Sequence, residues 1–143
     1  MIIKNTIQSQ TVIRCSAKEL WDFLVNPKKI EKYMFGTKVT SEWEKGSKIR
    51  FEGKYEGKTY LDKGIIQAIL PEKKLEYTYL SSLSGLQDNP ENYSLITFDI
   101  NLIKEQTVLT IHQQGFVSNE SIEHSKANWE ITLKNIKQLA ESH

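Results

Sequence analysis

The spacing of apolar residues changes repeatedly along this 143-residue chain. Between Ile3 and Arg14, Ile7, Val12 and Ile13 stand irregularly among polar neighbours. Their β-branched side chains suit a pleated surface, so the segment reads as a strand interrupted by a bulge. Ser16-Ala17-Lys18-Glu19 has the form of a capping box, in which a hydroxyl and a carboxylate each satisfy a free backbone amide at a helix start. Leu20, Trp21, Leu24 and Val25 then recur at helical spacing as one apolar face, with Phe23 at its margin. Asn26-Pro27 ends this helix, because a residue preceding proline is pushed out of the α region. Pro27 can itself open a second short helix carrying Ile30, Tyr33 and Met34.

Gly36 begins a long region of strands. Turn signals at Glu44-Lys45-Gly46, Gly53, Glu56-Gly57 and Leu70-Pro71-Glu72 separate Lys48–Glu52, Lys58–Leu70 and Lys74–Leu80. In the last of these, Leu75, Tyr77 and Tyr79 share one face and Glu76 and Thr78 the other, the pattern of a half-buried antiparallel strand. Ser81–Asn92, with Gly85, Asp88 and Pro90, reads as a loop. Leu95–Ile103 and Thr107–Gln113 form a hairpin turning at Lys104-Glu105-Gln106. From Asn119 onward Ile122, Trp129, Leu133, Ile136 and Ala140 lie on one stripe of an amphipathic helix of roughly five to six turns. The expected architecture is a single α+β domain over residues 1–143: a strand, two short helices, about six antiparallel strands and a long helix. One apolar face of an antiparallel sheet needs a cover, and the C-terminal helix is the only long element able to supply it.

Composition narrows the function classes. Apolar content of 38% and charged content of 26% are those of a globular chain with an ordinary core. A formal net charge of +1, with Lys and Arg spread throughout, leaves no basic footprint for nucleic acid. Cys15 is the one cysteine, and neither a signal peptide nor an apolar run of membrane-spanning length is visible, so a cytoplasmic setting is expected. His112, His124 and His143 are dispersed and make no metal set with Cys15. Asp88 and Glu91 are close in sequence but lie in a loop marked by Gly85 and Pro90, a poor setting for a catalytic pair. With no Ser-His-acid spacing, phosphate-binding glycine loop or dinucleotide fingerprint, no catalytic residue, cofactor or metal is assigned.

Several segments in this order carry a resemblance. Glu19-Leu20-Trp21, Asn26-Pro27-Lys28-Lys29-Ile30 with Tyr33, and Gly46 come first. Gly64-Ile65-Ile66 and the run from Leu70 to Tyr79 follow. Thr107–Ile111 with Gly115-Phe116, and Trp129 through Leu133, complete the set. The chain resembles the START-like (SRPBCC) helix-grip superfamily and, within it, the family named after the activator of the heat-shock protein 90 ATPase. That resemblance implies a curved antiparallel sheet wrapped around the long C-terminal helix, with a cavity between them. Relatives use such cavities for lipids, sterols, hormones or polyketides. Family members often have Trp where Tyr33 and Tyr79 stand and His where Gln113 stands. The founding cochaperone has a further N-terminal domain with no counterpart in this sequence, which counts against chaperone activation, while the resemblance still implies a stress-response role.

The strand faces expected to point at the helix carry Phe51, Tyr60, Tyr77, Tyr79, Phe98 and Gln113, a mainly aromatic set with few polar groups, as ligand cavities have. Tyr33, Trp129 and Leu133 complete the candidate wall, and Trp43 is placed to shield an opening. Trp129 and the tyrosines serve equally well as core. Asp62 shares a strand face with Tyr60 and Gly64; it is either a carboxylate inside the cavity or is turned to solvent by a register break. Three functions fit: binding of a small hydrophobic or amphipathic ligand; a protein-interaction module, chaperone-associated or otherwise; and a cofactor-free cyclase, dehydratase or hydrolase for a polyketide-like substrate. A monomer or a homodimer is compatible with all three.

Overall fold

A computed structural model describes residues 3–142; Met1, Ile2 and His143 lie outside it, together with the parts of the signal-peptide and histidine readings that fall on them. Among the described residues the elements run β1 (Ile3–Ile13), α1 (Ala17–Val25), α2 (Pro27–Tyr33), β2 (Lys38–Ser41), β3 (Lys48–Tyr55), β4 (Lys58–Leu70) and β5 (Lys74–Tyr79). A 3-10 turn at Pro90–Asn92 precedes β6 (Ser94–Ile103), β7 (Gln106–Phe116) and α3 (Asn119–Glu141). The strands form one curved antiparallel sheet in the order β1-β7-β6-β5-β4-β3-β2, the expected α+β helix-grip arrangement.

Local sequence explains most of these boundaries. The β1 bulge falls between Ile3 and Thr6, where the pairing to β7 shifts register. Lys104 and Glu105 both adopt positive φ, which matches a tight hairpin turn to the twist of its strands. Ser118 and Ser121 cap α3 reciprocally, each hydroxyl accepting from the other residue's amide, at 3.2 and 3.0 Å. At α1 the cap is one-sided. The Ser16 hydroxyl accepts from the Glu19 amide at 3.1 Å, but the Glu19 carboxylate accepts from that hydroxyl and not from the Ser16 backbone.

Four local expectations need correction. Phe23 is fully in the core while Trp21 and Val25 are half-buried, so the apolar face of α1 is rotated from the one the spacing suggests. Gly53 marks no turn: it lies within β3 opposite Tyr60, whose ring occupies the space a side chain would fill. β2 is a strand in its own right that the sequence pattern does not mark out, because four residues between two turns carry too little pattern. The long helix is also not the sole cover. α3 lies along β1 and β7, whereas α2 covers β2 and α1 reaches β6. Leu20, Phe23, Leu24, Ile30 and Tyr33 of the two short helices are all at most 3% exposed.

β4 carries the sheet's bend. Its first half pairs with β3, its second half with β5, and the β5 pairing shifts register between Ile66 and Ala68. Such an irregularity increases local twist and curls a sheet around whatever it encloses. The two ends of the interior are filled differently as a result.

Candidate functional site

Under α1 and α2 the interior is closed by rings. Phe51 of β3, Tyr77 of β5 and Phe98 of β6 stand side by side on the inner face, with centroid separations of 5.4 and 6.1 Å. Trp129 of α3 meets Phe98 edge-on at 5.7 Å and Tyr79 meets Phe51 in the same manner at 5.4 Å, the geometry aromatic quadrupoles prefer. The buried Tyr33 hydroxyl donates to the Phe23 carbonyl at 2.8 Å. Burial pushes the Tyr33 and Tyr77 hydroxyls well above the ordinary phenol range, so both stay protonated. The space left among Tyr33, Trp43, Phe51, Tyr77 and Phe98 is about 10 Å³, room for one water at most.

Beside this aromatic wall lies a polar corner. Asp62 is 6% exposed, so it is not turned to solvent, yet it lines neither this small void nor the larger cavity under the Ser81–Tyr93 segment. Its carboxylate accepts from the Tyr79 hydroxyl, from the Ser82 amide at 2.8 Å and from the Ser82 hydroxyl at 3.2 Å. Burial first, and the Asp62 carboxylate second, raise the Tyr79 hydroxyl well above its usual range. Tyr60 shares a 2.6 Å hydrogen bond with Thr37, at the rim. Further along, Lys63 pairs with Asp88, and the Tyr93 hydroxyl donates to Asp88. The Lys63 ammonium and then Tyr93 lower the Asp88 carboxyl, and burial followed by Asp88 pushes Tyr93 up to about 12. The segment from Ser81 to Tyr93 is thereby tied to β4 at Asp62 and at Lys63.

That tied segment roofs a second space. A cavity of about 140 Å³ lies between it, the inner ends of β5, β6 and β7, and the first turns of α3. Tyr79, Leu80, Leu86, Phe116 and Val117 supply its apolar wall, and Ser94, Gln113 and Ser125 are among its polar groups. No lining residue carries a charge. Gln113 is 9% exposed, and its side-chain carbonyl accepts from the Trp129 indole N–H at 2.7 Å. An indole nitrogen can only donate, so the amide must present its oxygen to Trp129 and its NH2 elsewhere.

Of the residues predicted from sequence, Tyr79 and Gln113 line this cavity. Tyr33, Trp43, Phe51, Tyr77 and Phe98 surround the small void, Asp62 and Tyr60 form the polar corner, and Trp129 and Leu133 pack in the core. Ser94, Leu86 and Ser125 were missed; the signal for Phe116 was the Gly115-Phe116 pair ending β7. Among the described residues no three of His, Cys, Asp and Glu converge on a metal-sized site, and no helix is long and apolar enough to cross a membrane.

Comparison with known proteins fits this geometry. The solution structure of ChR145 from Cytophaga hutchinsonii is 37% identical, with 99% of this chain and 97% of that one aligned at a TM-score of 0.83. MLL2253 from Mesorhizobium loti shares the fold at 21% identity, with coverage of 96% and 97% and a TM-score of 0.78. The Aha1 dimer from Colwellia psychrerythraea shares it at 15% identity, with coverage of 96% and 97% and a TM-score of 0.75. No curated protein matches the sequence. The family model described as Activator of Hsp90 ATPase homolog 1-like protein matches residues 14–141, nearly the whole described fold, and the chain belongs to that family.

Proposed function

We propose that this protein binds a small, mainly apolar ligand in the 140 Å³ cavity bounded by β5–β7, the Ser81–Tyr93 segment and the start of α3. One observation carries the reading. The interior is packed to a 10 Å³ remnant at one end, yet at the other lies a pocket fourteen times larger, open on one side to solvent, with an apolar wall and a few polar groups. Protein interiors otherwise contain few voids larger than a water. A volume of roughly 150 Å³ accommodates a benzene-sized molecule. The ligand class is therefore a compact ring or short chain, smaller than the sterols and long lipids held by some relatives.

The test uses toluene as the probe. Titrated into isotope-labelled protein, it should perturb the amide signals of Ser94, Phe116, Val117 and Ser125 and leave those of Val39 and Phe51 in place. Ser125 has no side-chain hydrogen-bond partner among the described residues, so Ser125→Phe fills the cavity without breaking a hydrogen bond. That variant should lose toluene binding while melting within a few degrees of the parent. Shifts spread over the exterior, or binding that survives Ser125→Phe, would refute the proposal.

A second reading, contact with a protein partner, is favoured by Leu70, Leu102 and Ile103. These are 53%, 71% and 50% exposed at the ends of β4 and β6, and exposed apolar side chains that form a patch mark interaction surfaces. A sedimentation shift abolished by Leu102→Glu would support it; a monomer unaffected by the change would not.

A further inference from the structure

The Gln113 amide also specifies what kind of ligand the cavity takes, an inference that rests on the proposed function. Its oxygen is held by Trp129, and its nitrogen has no hydrogen-bond partner among the described residues. No buried side-chain nitrogen or oxygen there is both sealed from solvent-sized space and unpartnered. The Gln113 nitrogen therefore opens onto free space, and the cavity is the space that Gln113 lines. Trp129 cannot exchange roles with it, being itself fixed edge-on against Phe98. The cavity thus offers a held donor pair on a residue nine-tenths buried, beside the apolar Tyr79 and Phe116.

We infer that the ligand is a neutral carbonyl compound, its apolar body against Phe116 and its oxygen accepting from the Gln113 NH2. A pure hydrocarbon would leave those donors without a partner, which is unfavourable once water is displaced. An ionised acid would satisfy them but would bury its charge among lining residues that carry none. A ketone, ester or amide avoids both costs.

Three probes of similar size separate these cases: cyclohexanone, methylenecyclohexane, in which CH2 replaces the oxygen, and cyclohexanecarboxylate at pH 7. With the parent protein, cyclohexanone should bind about tenfold more tightly than either of the others, the worth of one hydrogen bond. It alone should move the Gln113 side-chain NH2 resonances. Gln113→Met, of similar length but without donors, should bring the ketone-to-hydrocarbon ratio near one. Equal affinities for ketone and hydrocarbon in the parent protein would overturn this inference and leave the cavity reading standing. Tightest binding of the carboxylate would overturn the assignment of a neutral ligand. Failure of all three to bind would overturn both readings together.

Discussion

Replacing Gly64 by alanine should be among the most damaging single-methyl additions in this protein. Gly64 lies on the inner face of β4 between Asp62 and Ile66, where the strand passes from its β3 partner to its β5 partner. A Cβ there would sit 1.5 Å from the Thr78 carbonyl oxygen and 2.5 Å from its carbon. Both atoms are backbone, so no rotamer change can relieve the overlap, and β5 itself must move. That movement would disrupt the 2.9 Å bond from the Ile65 amide to the Thr78 hydroxyl and the backbone pair between Lys63 and Leu80. Overpacking a core costs about 1–3 kcal/mol, and each lost hydrogen bond adds about 1 kcal/mol, so a total on the order of 3 kcal/mol or more is expected. Against a whole-domain stability of about 5–15 kcal/mol this lowers the melting temperature by about 10 °C.

Gly53 supplies the control for that substitution. Its Cβ would meet the Tyr60 hydroxyl at 2.5 Å and the adjoining ring carbon at 2.7 Å, but these are the far end of a side chain that can swing aside. Gly53→Ala should therefore cost little beyond the Thr37–Tyr60 hydrogen bond, about 1 kcal/mol. Thermal melts followed by circular dichroism, with urea titrations to confirm an unchanged m-value, compare the two. A Gly64→Ala variant that melts within two or three degrees of the parent, or above Gly53→Ala, would refute this account of the β4 bend.

Trp129→Ala should cost about 3–5 kcal/mol, since it removes the ring against Phe98 and the N–H on Gln113, while Lys134→Ala on the exposed face of α3 should be nearly silent; equal melting temperatures would show the helix face to be misassigned. Glu141, which accepts from the Arg14 amide and from Lys137, titrates at about 2, below its ordinary value of 4.5. A carboxylate whose folded value is depressed stabilises the fold above the ordinary value, and the contribution is lost as pH falls toward the folded one. The stability gap between parent and Glu141→Gln should accordingly be present at pH 7 and shrink between about pH 4.5 and 2; a gap independent of pH would remove Glu141 from the contacts joining β1 to α3.

Much of the fold was legible in the sequence because its signals are local and repeated. Leu75 and Tyr77 and the stripe Ile122, Leu133, Ile136, Ala140 bury as their spacing implies, with Tyr79 partly buried against them. Gly53 misled because a glycine facing a tyrosine across two strands looks, in one strand alone, like a turn. Trp21 and Phe23 misled for a related reason: on a nine-residue helix, which of two adjacent aromatics faces inward is decided by where the sheet lies. Asp62 had no partner visible nearby in sequence; Ser82, twenty residues on, and Tyr79, seventeen on, provide its hydrogen bonds.

The location of open space was the least legible feature, since a cavity is a difference between large volumes contributed by separate segments. Six rings, from Tyr33, Trp43, Phe51, Tyr77, Phe98 and Trp129, crowd the interior around the closed end, and a list of inward aromatics points there for a ligand. Aromatic side chains fill space as readily as they line it, and here they leave only about 10 Å³. The larger space lies where small residues face one another: Ser94 on β6, Gly115 on β7, Ser121 and Ser125 on α3, and Ser81 and Ser84 on the roof. None of these residues is distinctive by itself, and the strand β7 and helix α3 that close the space begin some twenty to forty residues beyond its β5 wall. Gln113 and Trp129 stand at the boundary between the two ends. The indole that completes the packed side holds the amide of the open side, so the same contact that closes the core orients the polar group a ligand would meet.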